Sequence, residues 1–200
     1  MNEPVDGWVA LQPQRAFHSL AAQPLRGGMW LGLRRPLFVA FVLACCVTLM
    51  AGEPFDPRLV ASNLLAWSFV PFCEALGLAA VAWNTRRHIA LSRAIDLYFT
   101  GHAPWLMWFA ALSCAWSLQK PHSAPNFMFY YFGLLAAGTL LVLGWSCYVD
   151  FHCLRIALAR TSKRALRELL LQRLISWSLI ATIFGWAGML AGIAGRLHPA

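Results

Sequence analysis

Charged residues are scarce in this 200-residue chain: Asp, Glu, Lys and Arg make up 12% of it and hydrophobic residues 60%. An ordinary globular domain carries about 25% charged residues. So little polar sequence cannot cover a water-soluble core, and the same composition excludes a disordered chain. Acid is scarcer still, with 8 Asp and Glu against 16 Lys and Arg, for a formal net charge of +8. The signatures of soluble enzymes are missing: there is no glycine-rich phosphate loop, no Gly-x-Ser-x-Gly elbow and no His-Glu-x-x-His. The 6 cysteines include no Cys-x-x-Cys pair, so small apolar packing is their expected role, and no metal or cofactor is implied.

What is abundant is apolar sequence in long runs. A helix needs about 20 mostly apolar residues to cross a bilayer. Five runs approach or meet that length, at 36–52, 59–83, 103–118, 127–149 and 174–194. The first is long enough only if Met29, Trp30 and Leu31 join it while Arg34 and Arg35 snorkel outward, and the third lengthens through Ile95, Leu97, Tyr98 and Phe99. Unpaired backbone groups are intolerable in hydrocarbon, and these runs lack the alternation of barrel strands. The expected fold is therefore all-α, a polytopic transmembrane helical bundle of about five spans over 36–200, preceded by a polar or interfacial segment at 1–35.

Basic residues set the orientation. All but Arg58, Lys120 and Arg196 of the 16 Lys and Arg fall on one side of such a topology. The positive-inside rule then gives a cytoplasmic N-terminus and an exoplasmic C-terminus, in the inner membrane if the chain is bacterial. Residues 1–35 lack the apolar stretch of a cleavable signal, so the first span is expected to act as an anchor. The excess of basic residues is explained by topology and anionic headgroups, and no groove-reading module suggests nucleic acid.

Within the spans, Glu74 stands out, because an acid at mid-span is costly and functional by default. Pro71, one turn earlier, removes a helical hydrogen bond and frees the carbonyl of Trp67, so Pro71 and Glu74 form a candidate polar site for a cation or a proton. No span offers a basic partner. Glu74 is thus expected to be neutral and bonded to a hydroxyl such as Ser68, Ser113 or Ser146, tying helices together.

Three weaker signals follow. Asp96 and His102, with Arg86, Arg87, His88 and Arg93, read as an interfacial segment with snorkelling arginines, and Asp150, His152 and Cys153 as a poor metal set, since neighbouring helical residues diverge by about 100°. Residues 151–169 read as one basic amphipathic helix whose Arg160, Lys163, Arg164 and Arg167 meet anionic lipid headgroups or an acidic partner. Gly185, Gly188 and Gly192, the last two forming a GxxxG, are candidate helix-packing positions, within the chain or in a homo-oligomer.

Asp96-Leu97-Tyr98 leads into Pro104-Trp105 and a span. With five spans after a polar N-terminus, it resembles the Yip-type family of five-pass membrane proteins, which carry an Asp-Leu-Tyr-Gly-Pro-like motif before a span. The resemblance implies a helical scaffold in membrane organisation or trafficking, with membrane-protein partners and no catalytic residues. Two functions are expected to compete: a non-enzymatic scaffold or accessory subunit, and a small transporter or channel using Glu74 beside the Pro71 kink.

Overall fold

In a computed structural model the chain is described over residues 9–22, 29–51, 56–83, 90–117 and 125–197, with backbone alone at 29, 125–131, 188 and 190–197. Every regular element among these residues is helical. Helix α1 is Pro13–Ala22, α2 Met29–Met50, α3 Pro57–Trp67, α4 Phe69–Ala82, α5 Leu91–Thr100, α6 Ala103–Ser117, α7 Pro125–His152 and α8 Ser162–Leu197, with a π-helical turn, Cys153–Ala157, after α7. Four stretches are long and apolar enough to cross a membrane: Trp30–Met50, Pro57–Ala82, Phe132–Ala157 and Ser162–Ala187. These four helical stretches are compatible with a multi-pass membrane protein. α6, at 15 residues, rises only about 22 Å and is too short to join them alone.

Local chemistry explains the boundaries. Asp56 caps α3, its carboxylate accepting from the Arg58 N–H at 2.9 Å, and Pro57 takes the first turn, where no N–H is needed. One irregularity at Ser68 separates α3 from α4, at the place where Pro71 has no N–H to offer the Trp67 carbonyl. In α2, Pro36 likewise leaves the Gly32 carbonyl without its helical donor. Gly32 also lets α5 come close: a Cβ there would lie 3.0 Å from Ser92 Cα.

Cross-contacts fix the helix directions. α2 pairs with α5 and then α6 in the same sense, from Gly32 beside Ser92, through Arg35 beside Thr100, to Cys46 beside Ser113. α3 returns against α2, with Asn63 Nδ2 donating to Thr48 Oγ1 at 3.0 Å. α7 runs against α5 and α6, from Thr139 beside Trp108 to Val149 beside Gly101. α4 and α8 are antiparallel and close: Phe69 meets Phe184, while a Cβ on Gly77 would collide with Ser176 and lie 3.0 Å from the Gln172 carbonyl.

The apolar core lies at one end of the bundle, where the end of α4, α5, the end of α7, the π turn and the start of α8 converge. α1 completes it. Val9 and Phe17 are fully buried, Leu20 nearly so, and the Trp145 indole donates to the Ala10 carbonyl at 2.8 Å. Residues 9–22 are therefore part of the bundle's core and not a separate polar segment, because the apolar face of α1 covers the π turn. Trp145 is correspondingly turned toward the segment that leads into α1. Toward the other end, residues 181–187 of α8 are all exposed.

The expected basic helix over 151–169 is broken. Leu158 and Arg160 donate to carbonyls five residues back, Cys153 and Arg155, and Ala159 turns through a left-handed φ of 51° before α8 begins. A single helix there would keep α8 from folding back along α7, whereas the turn buries Leu158 and starts α8 at Ser162.

Candidate functional site

Glu74 faces inward from α4 and is 8% exposed. It is not alone: Oε2 is hydrogen-bonded to His102 Nε2, and Oε1 lies 3.7 Å from Arg173 Nη1. Arg173 Nη2 in turn donates to Asp150 Oδ2 and to Ser146 Oγ. Four ionisable side chains from α4, the α5–α6 turn, α7 and α8 thus form one buried network, with His102, Asp150 and Arg173 at 4%, 1% and 9% exposure. This corrects the expectation of a partnerless acid bonded to a hydroxyl. Arg173, just before the apolar run at 174–194, looked like a loop residue, but the broken helix before it draws it inside. Inside a low-dielectric bundle each member depends on the others, since an ion stripped of its partner costs several kcal/mol.

The backbone around His102 is shaped for this. Gly101 lets α7 approach, because a Cβ on it would lie 2.8 Å from Val149 Cγ1. The imidazole stacks on Phe99 at 4.5 Å and meets the edge of Tyr98 at 5.1 Å. Beside it runs a chain of neutral groups: Gln172 Nε2 donates to Tyr98 Oη at 2.8 Å and to Ser176 Oγ at 3.1 Å, and Ser176 Oγ donates to the Cys73 carbonyl at 3.3 Å. Glu74, His102 and Arg173 also line a cavity of about 180 Å³, otherwise walled largely by apolar side chains of α2, α4, α6 and α8.

Pro71 does not share that cavity. It is buried against a separate apolar groove of about 580 Å³ between α2, α4 and α5, which Pro36 also lines. The expected Pro71–Glu74 pairing therefore splits: the proline shapes one side of α4 and the acid serves the other.

Asp96 forms a second cluster. Arg34 Nε and Nη2 donate to it at 2.9 and 3.2 Å, Arg35 Nε at 2.9 Å and Arg93 Nη1 at 3.3 Å. Arg93 also reaches the Leu20 carbonyl and Arg35 reaches Thr100. Arg34 and Arg35 do not simply snorkel outward, because a buried carboxylate on α5 draws their guanidinium groups toward it. Asp96, Leu97 and Tyr98 are all within 1% of full burial.

The remaining candidates separate by geometry. Arg160 and Arg164 hold Glu168 at 2.9 and 2.7 Å, while Lys163 and Arg167 are exposed. Gly185 has no atom within 4 Å of where a Cβ would sit. Gly188 and Gly192 lie on α8 with surroundings outside the described residues, as do Arg86, Arg87 and His88 altogether. His152 packs its ring against Tyr148 at 4.7 Å, and among the described residues no group of three or more His, Cys, Asp or Glu is arranged to hold a metal. Compared with protein-family models, with curated proteins and with solved structures, the chain matches none.

Proposed function

We propose that this chain is a non-enzymatic, five-pass integral membrane protein that serves as a scaffold or accessory subunit in membrane organisation. The observation that carries the proposal is the closure of the interior charges on one another: Glu74 is engaged by His102 and Arg173, and Arg173 by Asp150. A transport carboxylate has to exchange partners along a path. Here both oxygens are held by residues from other helices, which suits a fixed frame. The first experiment is purification from native membranes in mild detergent with partner proteins identified and counted. A stoichiometric partner is expected, and a chain that purifies alone argues against the proposal.

Five passes rest on α5 and α6 acting together. They run beside α2 in its own direction, and with their two-residue turn they cover 27 residues from Leu91 to Ser117, about 40 Å of rise. Successive passes then alternate, with the N-terminus cytoplasmic and the C-terminus exoplasmic as the basic residues predict. Single cysteines in a cysteine-free background, labelled from either side, test this: exposed residue 11 and residue 196 should react from opposite faces. The Yip-type resemblance belongs to the same proposal, with Asp96, Leu97 and Tyr98 serving as a structural anchor for α5.

A second function is favoured by one specific feature, the cavity that Glu74 lines. A small transporter would use it. Flux into liposomes that disappears in Glu74→Gln while the protein still folds would select transport over the scaffold.

A further inference from the structure

We propose that the pocket between the start of α2 and the α5–α6 corner binds one anionic glycerophospholipid, its phosphate against Arg34 and Arg35 and an acyl chain along Phe38 and Leu106. The pocket holds about 420 Å³. An apolar cavity of about 150 Å³ is enough to admit benzene, so a headgroup phosphate and the upper part of one chain fit the volume.

Charge selects an anion. Counted over the described residues, Arg34, Arg35 and Arg93 share the carboxylate of Asp96, which leaves a local surplus of positive charge in a chain whose formal net charge is +8. The Nε atoms of Arg34 and Arg35 both lie 2.9 Å from the same Asp96 Oδ1, so the two cations repel each other, and an anion beside them offsets that repulsion. Arg93 is turned inward, with 9% of its side chain exposed, whereas Arg34 and Arg35 keep 45% and 20% of theirs exposed and both line the pocket. Their positions are set in advance: Asp96 holds both, and Arg35 also donates to Thr100, whose hydroxyl is fixed on the Asp96 carbonyl at 2.8 Å. Guanidinium groups held in this way suit phosphate oxygens.

The grading of the pocket selects a lipid over a free phosphate. On α2, Arg34 and Arg35 are followed one turn on by Phe38, and on the facing wall Thr100 is followed by Ala103 and Leu106. Because α2 runs in the same sense as α5 and α6, both walls pass from polar to apolar together, the order of headgroup and chain in a phospholipid. Arg34 lies four residues, about 6 Å of rise, inside the start of the apolar stretch Trp30–Met50, a depth from which a guanidinium reaches the headgroup layer. Phe38 is 58% exposed, so the apolar half opens sideways, away from the core. The Pro71 groove, also lined by α2, has no basic side chain in its walls and offers a chain no headgroup contact.

The test uses the full chain carrying Lys163→Gln and Arg167→Gln, which removes the outward basic pair of early α8, in detergent micelles read by native mass spectrometry. Dioleoylphosphatidylglycerol is the probe; dioleoylphosphatidylcholine, with the same chains and no net charge, and glycerol 1-phosphate are the controls. Retention of one phosphatidylglycerol per chain is expected, with phosphatidylcholine held about fivefold less or weaker and glycerol 1-phosphate not retained. Arg34→Gln leaves Asp96 with Arg35 and Arg93 and should weaken retention roughly fivefold, the scale of one basic residue at an anionic surface, while thermal unfolding stays cooperative. Ala103→Phe fills the apolar half without touching a charge and should weaken retention at least as much. Phosphatidylcholine held as well as phosphatidylglycerol would make the pocket a plain apolar groove, and glycerol 1-phosphate held as well would make it a site for free phosphate. Undiminished retention by folded Arg34→Gln or Ala103→Phe would place the lipid elsewhere. Any of these results, or no retention of any probe by the folded chain, overturns the proposal.

Discussion

Arg173 stands between two carboxylates, with Nη1 3.7 Å from Glu74 Oε1 and Nη2 donating to Asp150 Oδ2. One guanidinium thereby couples α4 to α7 from α8. Arg173→Met should lower stability by about 3–5 kcal/mol, because it leaves buried acids without their cation. Adding Asp150→Asn to Arg173→Met should recover part of that loss, since one of the stranded charges is removed. Unfolding midpoints in a fixed detergent would measure both, and the absence of any recovery would show that Asp150 and Arg173 are not energetically coupled.

The contact of α4 with α8 depends on a missing side chain. A Cβ on Gly77 would collide with Ser176 and press on the Gln172 carbonyl, whereas one on Gly185 meets nothing. Gly77→Ala should therefore cost roughly 1–3 kcal/mol of overpacking, and Gly185→Ala should leave the unfolding midpoint of the monomer unchanged. If Gly185→Ala instead shifted only the oligomeric state, the exposed half of α8 would be a contact between copies.

These effects explain which parts of the fold the sequence made legible. The apolar runs at 36–52, 59–83, 127–149 and 174–194 each overlap a helix long enough to span a bilayer, because hydrocarbon thickness and the need to pair backbone groups leave a local composition signal. The break at Ser68 was legible too, since Pro71 acts four residues away on its own helix. The partners of Glu74 were not. His102 and Arg173 lie 28 and 99 positions along the chain from it, and both sit at edges of apolar runs, where they resemble loop residues. A retrospective signal exists in Gln172, Arg173 and Ser176, whose helical spacing puts three polar groups on one face at the head of an apolar run. Likewise no local pattern marks the left-handed turn at Ala159, because a tertiary requirement, folding α8 back on α7, overrides the helical propensity of residues 151–169.

α1 offers a direct test of the core. Phe17 is fully buried among residues of the bundle, and removing a buried phenyl ring costs about 3–5 kcal/mol where the site cannot collapse. Much of that penalty should appear as undocking of α1 rather than global unfolding, since the helix is short and terminal. Limited proteolysis of Phe17→Ala should release a fragment ending within residues 9–28 under conditions that leave the unaltered chain intact. Resistance equal to that of the parent would mean that α1 is held mainly by the Trp145–Ala10 and Arg93–Leu20 hydrogen bonds.

The four basic residues that follow the π turn, from Arg160 into early α8, should divide into two pairs with opposite phenotypes. Arg160 and Arg164 are bound to Glu168, which is 5% exposed, while Lys163 and Arg167 project outward. Replacing Arg160 and Arg164 with Gln should lower the unfolding midpoint, because a nearly buried carboxylate loses both its cations, and should change lipid retention little. Replacing Lys163 and Arg167 with Gln should leave the midpoint alone but reduce co-purifying phosphatidylglycerol, with each basic residue at an anionic surface contributing about 1 kcal/mol. Unfolding in one detergent and lipid counting by native mass spectrometry read the two effects separately. If both double variants lost lipid equally, the basic face would be acting as one surface and the Glu168 pairing would not persist in the membrane.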